Sequence, residues 1–355
     1  MRRTGTDSSK SIHSNFRANV TAASSTTVKR HRPVAYSTFA AEEILRLVLQ
    51  HYELEHDAEC TFFCRGVSDT YLLTTPSRRF ALKVYPSLWR TREAIQGELS
   101  ALTYLAAKGI EVAVPIARKD GSSIMNVRAP EGLRSAVLFD WAEGDAPKYT
   151  DATHALHYGR LVARLHDASD DLPPSASRPA MDMELLFRKP VERIRPRLAL
   201  MPALAARFEL FVHRLEARLT DAEKTVPDWG FCHGDVWANN ARIHDTRVVL
   251  FDFDFCGLGW RAFDLATYRW NARLEHIEQL AWEPFLKGYL QIRPSAAQSL
   301  QFVPLFMVLR HLWFTAHAIG LSAAAGAGFI SKEFFDDAIT FFETIEREEA
   351  LTFSQ

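Results

Sequence analysis

The strongest constraint on how this 355-residue chain can fold is one stretch, Phe231-Cys232-His233-Gly234-Asp235-Val236-Trp237-Ala238-Asn239-Asn240, followed by Leu250-Phe251-Asp252-Phe253-Asp254. Between the two runs, 241–243 and 248–253 read as short strands joined by the turn His244-Asp245-Thr246-Arg247. A carboxylate at 235, an amide at 240 and a second carboxylate at 252 can therefore converge at one hairpin end. The rest of the chain has to supply a frame for that end.

The pattern upstream is mixed and the pattern downstream is helical. Ser37 or Thr38 is placed to cap a helix whose apolar residues Phe39, Ile44, Leu45, Val48 and Leu49 recur at helical spacing and which ends near His51. Segments 60–64, 70–74 and 79–85 read as an antiparallel meander, with Gly66-Val67-Ser68-Asp69 in its first turn. Segment 89–108 carries Ile95, Leu99, Leu102 and Leu105 on one helical face and stops at Gly109, a usual left-handed cap residue. Strands are expected at 123–127 and 133–139, and residues 140–147 break the pattern. Helices are then expected at 155–168, 203–220, 262–273, 277–290, 304–321 and 332–349. The expected division is a disordered basic tail (1–35), an N-terminal lobe (36–142) and a C-terminal lobe (143–355).

Composition excludes several classes. With 47% hydrophobic and 24% charged residues the chain is neither fibrous nor disordered throughout. The overall charge of −1 hides a tail of +6, which leaves a mildly acidic body and argues against a nucleic-acid partner. That tail's Arg, Ser and Thr content also resembles a transit peptide, and the disordered-tail reading is preferred. Cys60, Cys64, Cys232 and Cys256 form no C-x-x-C pair and are too few for a disulfide framework, which fits a cytoplasmic setting. The longest apolar stretch, 304–330, is interrupted by Arg310, His311 and His317, so it reads as a buried helix and no membrane partner is expected. Zinc spacing, a G-x-S-x-G elbow and a G-x-x-x-x-G-K-[ST] loop are all missing.

Asp235, Asn240 and Asp252 suit phosphoryl transfer, in which a carboxylate receives or orients an acceptor hydroxyl while hard oxygen ligands hold Mg²⁺ on the phosphates. The run resembles the H-G-D-x-x-x-x-N plus apolar-D-F-D signature of the aminoglycoside phosphotransferase and choline kinase superfamily, small-molecule relatives of protein kinases. Gly257, Gly259 and Asp264-Leu265-Ala266 stand where that family has its G-x-x-x-x-D-L-A segment. The resemblance covers about residues 40–280. It implies an α+β, protein-kinase-like fold with two lobes and ATP between them, and ATP and Mg²⁺ as cofactors.

Residue by residue, the resemblance places Asp235 as the catalytic carboxylate and Asn240 and Asp252 as metal ligands. Gly66 and Ser68 fall in the phosphate-covering loop. Lys83, at the end of Phe80-Ala81-Leu82-Lys83-Val84, would contact the α and β phosphates, and Glu98, in an E-x-x-x-L helix, would hold Lys83 in place. Segment 137–144 resembles the interlobe hinge, with Phe139 and Trp141 flanking the backbone that would bond adenine. His233 and His166 are expected to brace structure, and Cys232 and Cys256 to pack as small core residues. Trp237 stands where the family often has His, the glycine loop has only Gly66, and the role of Asp254 stays open.

The implied reaction moves the γ-phosphoryl group of ATP to a small-molecule hydroxyl acceptor. The alternatives are a Ser/Thr protein kinase of the family's stress-response branch and a non-catalytic, pseudokinase-like binding protein. Residues 145–355 hold 28 acids and 23 bases, too small an excess to demand a polycationic acceptor. Arg178, Arg188, Arg195 and Arg261 are candidates to meet an anionic one, with surface or ion-pair roles the plainer reading. The oligomeric state is left open.

Overall fold

The computed structural model describes residues 34–173 and 178–348, so most of the expected tail lies outside the described residues. The first helix, α1 (Ala41–His51), starts after Ala40 with no side-chain cap, contrary to expectation. Ser37 instead donates from its backbone and hydroxyl to the Glu131 carboxylate, and Thr38 accepts from Arg65. Both candidate cap residues are drawn off by partners distant in sequence.

Strands β1 (Glu59–Arg65), β2 (Asp69–Thr74), β3 (Arg79–Val84), β4 (Met125–Ala129) and β5 (Gly132–Asp140) form one antiparallel sheet in the order β1-β2-β3-β5-β4. Side chains alternate faces along a strand. On β3, Phe80, Leu82 and Val84 therefore join Ile44 and Val48 of α1 in one core. Ala81 and Lys83 face the other way, toward the cleft that they line. Helix α2 (Arg92–Ala107), capped by Thr91, buries Ile95, Leu99, Leu102 and Leu105 in a second core with Val137 and Phe139. That second core runs on without a break into the helical part of the molecule.

The helical part contains α3 (Ala152–Ala168), α4 (Lys189–Leu198), α5 (Pro202–Thr225), α6 (Ala262–Leu274), α7 (Glu278–Ile292), α8 (Val303–Ala325) and α9 (Lys332–Glu348). Helices α3 and α7 touch backbone to backbone: a Cβ at Gly159 would collide with the Phe285 carbonyl, and one at Gly288 with the Leu156 carbonyl. The hairpin β7 (Ala241–His244) and β8 (Arg247–Leu250) forms in the expected place. A second pairing, β6 (Trp229–Cys232) with β9 (Gly257–Trp260), was not legible in the sequence. Four-residue strands holding Gly230, Gly257 and Gly259 give almost no strand signal. Helix α4 also escaped notice, since Pro190 and Pro196 interrupt its pattern.

Residues Pro294–Ser322 are long and apolar enough to span a membrane by composition, and 67% of the apolar window is buried inside the fold. All four cysteines are free.

Candidate active site

The loop carrying Asp235 joins β6 to β7 and is fastened from beneath by Asp264, near the start of α6. The Asp264 carboxylate accepts from the His233 N–H at 2.7 Å, the Gly234 N–H at 2.8 Å and His166 Nε2 at 3.0 Å. His166 Nδ1 then receives the Tyr289 hydroxyl at 2.6 Å. Burial would raise the Asp264 pKa, but His166, the nearby His233 and the Gly234 amide outweigh it and hold the group below its ordinary value; burial, opposed by Asp264, pulls the His166 pKa down. Gly234 sits at φ 81°, and a Cβ there would collide with the Phe255 carbonyl. Only glycine fits.

His233 fixes the loop from the other side. Its Nδ1 accepts from the Asp235 N–H at 3.2 Å and its Nε2 lies 3.0 Å from the Phe251 carbonyl, which together require the neutral Nε2–H tautomer. Cys232 and Cys256 are buried, and burial pushes both thiols up, Cys256 to about 12. All four of these side chains are placed as bracing or packing groups.

The Asp235 carboxylate has two partners, one on each oxygen. Asn240 Nδ2 donates to Oδ2 at 2.7 Å and Arg310 Nη2 donates to Oδ1 at 2.5 Å. Because Asn240 Nδ2 also donates to the Asp235 carbonyl, its orientation is set by two acceptors. Its Oδ1 has no donor among the described residues, and Asn240 lines the cleft. Arg310, on α8, was missed in the sequence reading as a site residue. A cation in the middle of a buried apolar helix needs a compensating charge, and that was the available signal. Its guanidinium lies 5.0 Å from the ring centres of both Trp270 and Trp313.

The cleft is a cavity of about 520 Å³ between the sheet and the helical part, lined by all the remaining expected site residues. Asp252 adopts a left-handed backbone, φ 60° and ψ 60°, at the start of the turn Phe253–Phe255. Its Oδ1 accepts from Lys83 Nζ at 2.6 Å. Burial would lower the Lys83 pKa, yet Asp252 and Asp254 outweigh it and hold the ammonium well above its ordinary value. Glu98 does not pair with Lys83 as expected: its carboxylate receives Arg178 Nη1 at 3.2 Å and the Tyr85 hydroxyl at 3.3 Å. Burial raises the Glu98 pKa, opposed by Lys83 and Arg178.

Asp254 is buried at the cleft wall. It accepts from Trp89 Nε1 at 2.9 Å and Arg90 Nε at 3.2 Å, and Lys83 is 3.8 Å away. In the hinge, the Trp141 N–H donates to the Arg79 carbonyl at 3.2 Å and the Asp140 N–H to the Val114 carbonyl at 2.9 Å. Ala142 is the next residue, and its amide has no partner among the described residues. Phe63 packs edge-on against Trp141, 5.2 Å between centroids, so the two make an aromatic wall. Two buried donors in the cavity lining, the Ser68 hydroxyl and Trp237 Nε1, have no protein partner. Gly66 donates its N–H to the Ser68 carbonyl at 3.0 Å, which shapes the loop above them.

Of the four arginines considered for an anionic acceptor, Arg188 pairs with Glu184, Arg195 with Glu209, Arg261 with Asp170 and Asp228, and Arg178 with Glu98.

A sheet-plus-helix lobe over a helical lobe, with a lysine, an amide and carboxylates gathered at the cleft, defines the class of protein-kinase-like phosphotransferases. Residues 59–297 match the phosphotransferase enzyme family, to which this chain belongs. An uncharacterized protein of Deinococcus radiodurans is 36% identical over 318 residues, 88% of this chain and 92% of that protein. The homoserine kinase of Neisseria meningitidis is 25% identical, covering 75% of this chain and 85% of its own. Among solved structures, amicoumacin kinase in complex with AMP-PNP, Ca²⁺ and its ligand superposes with a TM-score of 0.69 at 19% identity, covering 88% of this chain and 94% of that one.

Proposed function

We propose that this phosphotransferase transfers the γ-phosphoryl group of Mg-ATP to a hydroxyl of a small molecule. The observation that carries the reading is the gathering of Lys83, Asn240 and Asp252 on one cavity, with Asp235 joined to that cavity through Asn240. The orphaned Ser68 hydroxyl supports a phosphate above them, since a buried donor without a partner is costly. The relatives named as small-molecule kinases support the acceptor class.

Asn240 Oδ1 and the Asp252 carboxylate are hard oxygen donors that suit Mg²⁺, and the Lys83 ammonium already on Asp252 marks a place for positive charge. Held there, the ion would supply neutralisation of phosphate charge. Lys83, on Asp252 in this structure, is placed to bind phosphate oxygens instead. The Ala142 amide supplies the free hinge donor for adenine, between the walls of Phe139 and Trp141. Asp235, held by Arg310 and Asn240, keeps a free lone pair on each oxygen. It accepts the acceptor's hydroxyl proton or aims that hydroxyl at phosphorus.

The test is ADP release by the purified protein with Mg-ATP and a panel of hydroxyl compounds, alongside an intact-mass control without acceptor. Acceptor-dependent ADP release that vanishes in Asp235→Asn, with nucleotide binding retained, is the expected result. Phosphate appearing on the protein itself, with no acceptor response, would replace this reading with the protein-kinase one.

A further inference from the structure

A second cavity, of about 190 Å³, lies on the far side of Phe255 from the nucleotide cleft; Phe255 lines both. It reaches the Asp235 loop at Gly234 and is walled by the segment before α2, by α4 and by α8. Its charge is one-sided: Arg90, Arg178 and Arg193 line it, and no Asp or Glu does among the described residues. The carboxylates behind the wall, Asp254 and Glu98, are already taken by Arg90 and Arg178. Arg193 has no carboxylate partner among the described residues and reaches only the Ala316 carbonyl, at 3.4 Å. His317 adds no charge, because burial together with Arg310 and Arg90 pulls it down to about 4.

The aromatic side chains of this cavity are also unsuited to a cationic ligand. Beyond hydrogen bonds to neutral oxygens, an ammonium group is held by the charge of a carboxylate or by the open face of an aromatic ring. Arg90 already lies over Trp89 at 4.7 Å and over Phe255 at 5.5 Å. One side of Trp313 carries Arg310, 5.0 Å from its centre, and His317 stacks on the ring at 4.9 Å and 6°. The protein's own guanidiniums fill the role a ligand cation would need.

We propose that the second cavity is the acceptor site and that the acceptor carries a carboxylate or phosphate group besides its hydroxyl, the anion being bound by Arg193 and Arg90. This rests on the kinase reading above. The acceptor oxygen bonds to the γ-phosphorus, the bond from that phosphorus to the bridging oxygen of ADP breaks, and the hydroxyl proton leaves through Asp235 to solvent. The lobe's overall acidic excess does not bear on this, because recognition depends on the groups lining the cavity.

The test incubates the enzyme and Mg-ATP with a deproteinised bacterial metabolite extract, followed by mass spectrometry of new phosphorylated species. A product whose parent bears a carboxylate or phosphate is expected, and its mass and fragmentation tell the two apart. A parent with only amine or neutral groups would overturn the proposal and leave the kinase reading standing; no phosphorylated product at all would overturn both. With the product's parent as substrate, Arg193→Glu should raise KM at least thirtyfold while the KM for ATP stays within threefold. Arg193→Lys should keep most of the affinity. An unchanged acceptor KM in Arg193→Glu would remove Arg193 from the site.

Discussion

The loop that carries Asp235 is fastened by buried hydrogen bonds within the helical lobe, whereas the side around Asp252 is fastened by ion pairs reaching across from β3 and from the segment before α2. On the loop side the partners are His233, Asp264, His166 and Tyr289, all fully enclosed. On the cleft side they are Lys83 with Asp252 and Arg90 with Asp254. A buried network that loses one member strands the others, so it holds one geometry. An ion pair at a cavity wall can trade one counter-charge for another. The carboxylate proposed to react thus sits on the part that cannot yield, and the charges proposed to meet phosphate on the part that can.

The sharpest cut between the two sides is made at Asp235 itself. Asp235→Asn should lower turnover by roughly a thousandfold, within the usual range for a positioned acid or base, with nucleotide affinity nearly unchanged. Steady-state kinetics beside nucleotide titration decide this, and equal losses in both would blur the distinction. Asp264→Ala removes the acceptor of three buried donors and should cost about 4 kcal/mol in urea unfolding. A loss under about 1 kcal/mol would mean that the loop is no more rigid than the cleft side.

Acid should find the buried histidines of α8 next. His317 is held down to about 4 and His311 to about 3, chiefly by burial. An unfolded histidine binds its proton near 6.5, so between about pH 6.5 and 4 the unfolded chain carries more protons. Stability is therefore fully present above about 6.5 and is lost as the pH falls toward about 4, by on the order of 3 kcal/mol per such residue. Urea midpoints at pH 7, 5.5 and 4.5 measure it, and His317→Phe should flatten the profile.

Smaller effects belong to the cleft side. Lys83→Met should raise the KM for ATP about tenfold, worth about 1.4 kcal/mol, while changing stability by less than about 1 kcal/mol. A stability loss as large as that of Asp264→Ala would show that Lys83 is structural. Outside both regions, the exposed pair Arg195–Glu209 serves as a baseline. Arg195→Ala should cost no more than about 0.5 kcal/mol by the same unfolding measurement.

Much of this arrangement was legible from local pattern. The alternation in β2 and β3, the apolar stripe of α2, the β7–β8 hairpin and the Asp235-to-Asp252 spacing all lie within short windows of chain. What escaped were elements whose signal is long-range or masked: the glycine-bearing β6–β9 pair, the proline-interrupted α4, and the missing cap of α1. At the site, Lys83, Asn240 and Asp252 line one cleft and Asp235 meets it through Asn240, but the pairing of Glu98 with Arg178 was not foreseen. Those two residues are 80 positions apart, and either could have chosen another partner of opposite sign.

The sequence by itself determined which chemical groups are present and, through strand period, helix period and turn residues, which of them share a face or a hairpin end. Only the tertiary structure decided which charge meets which. Arg310 reaches Asp235 across 75 residues, Arg90 meets Asp254 across 164, and Arg193 is left facing a cavity without a carboxylate. The physical reason is range: backbone preferences act over a few residues, whereas desolvated charges are paired by whatever the packed helices and sheet bring within a few ångströms.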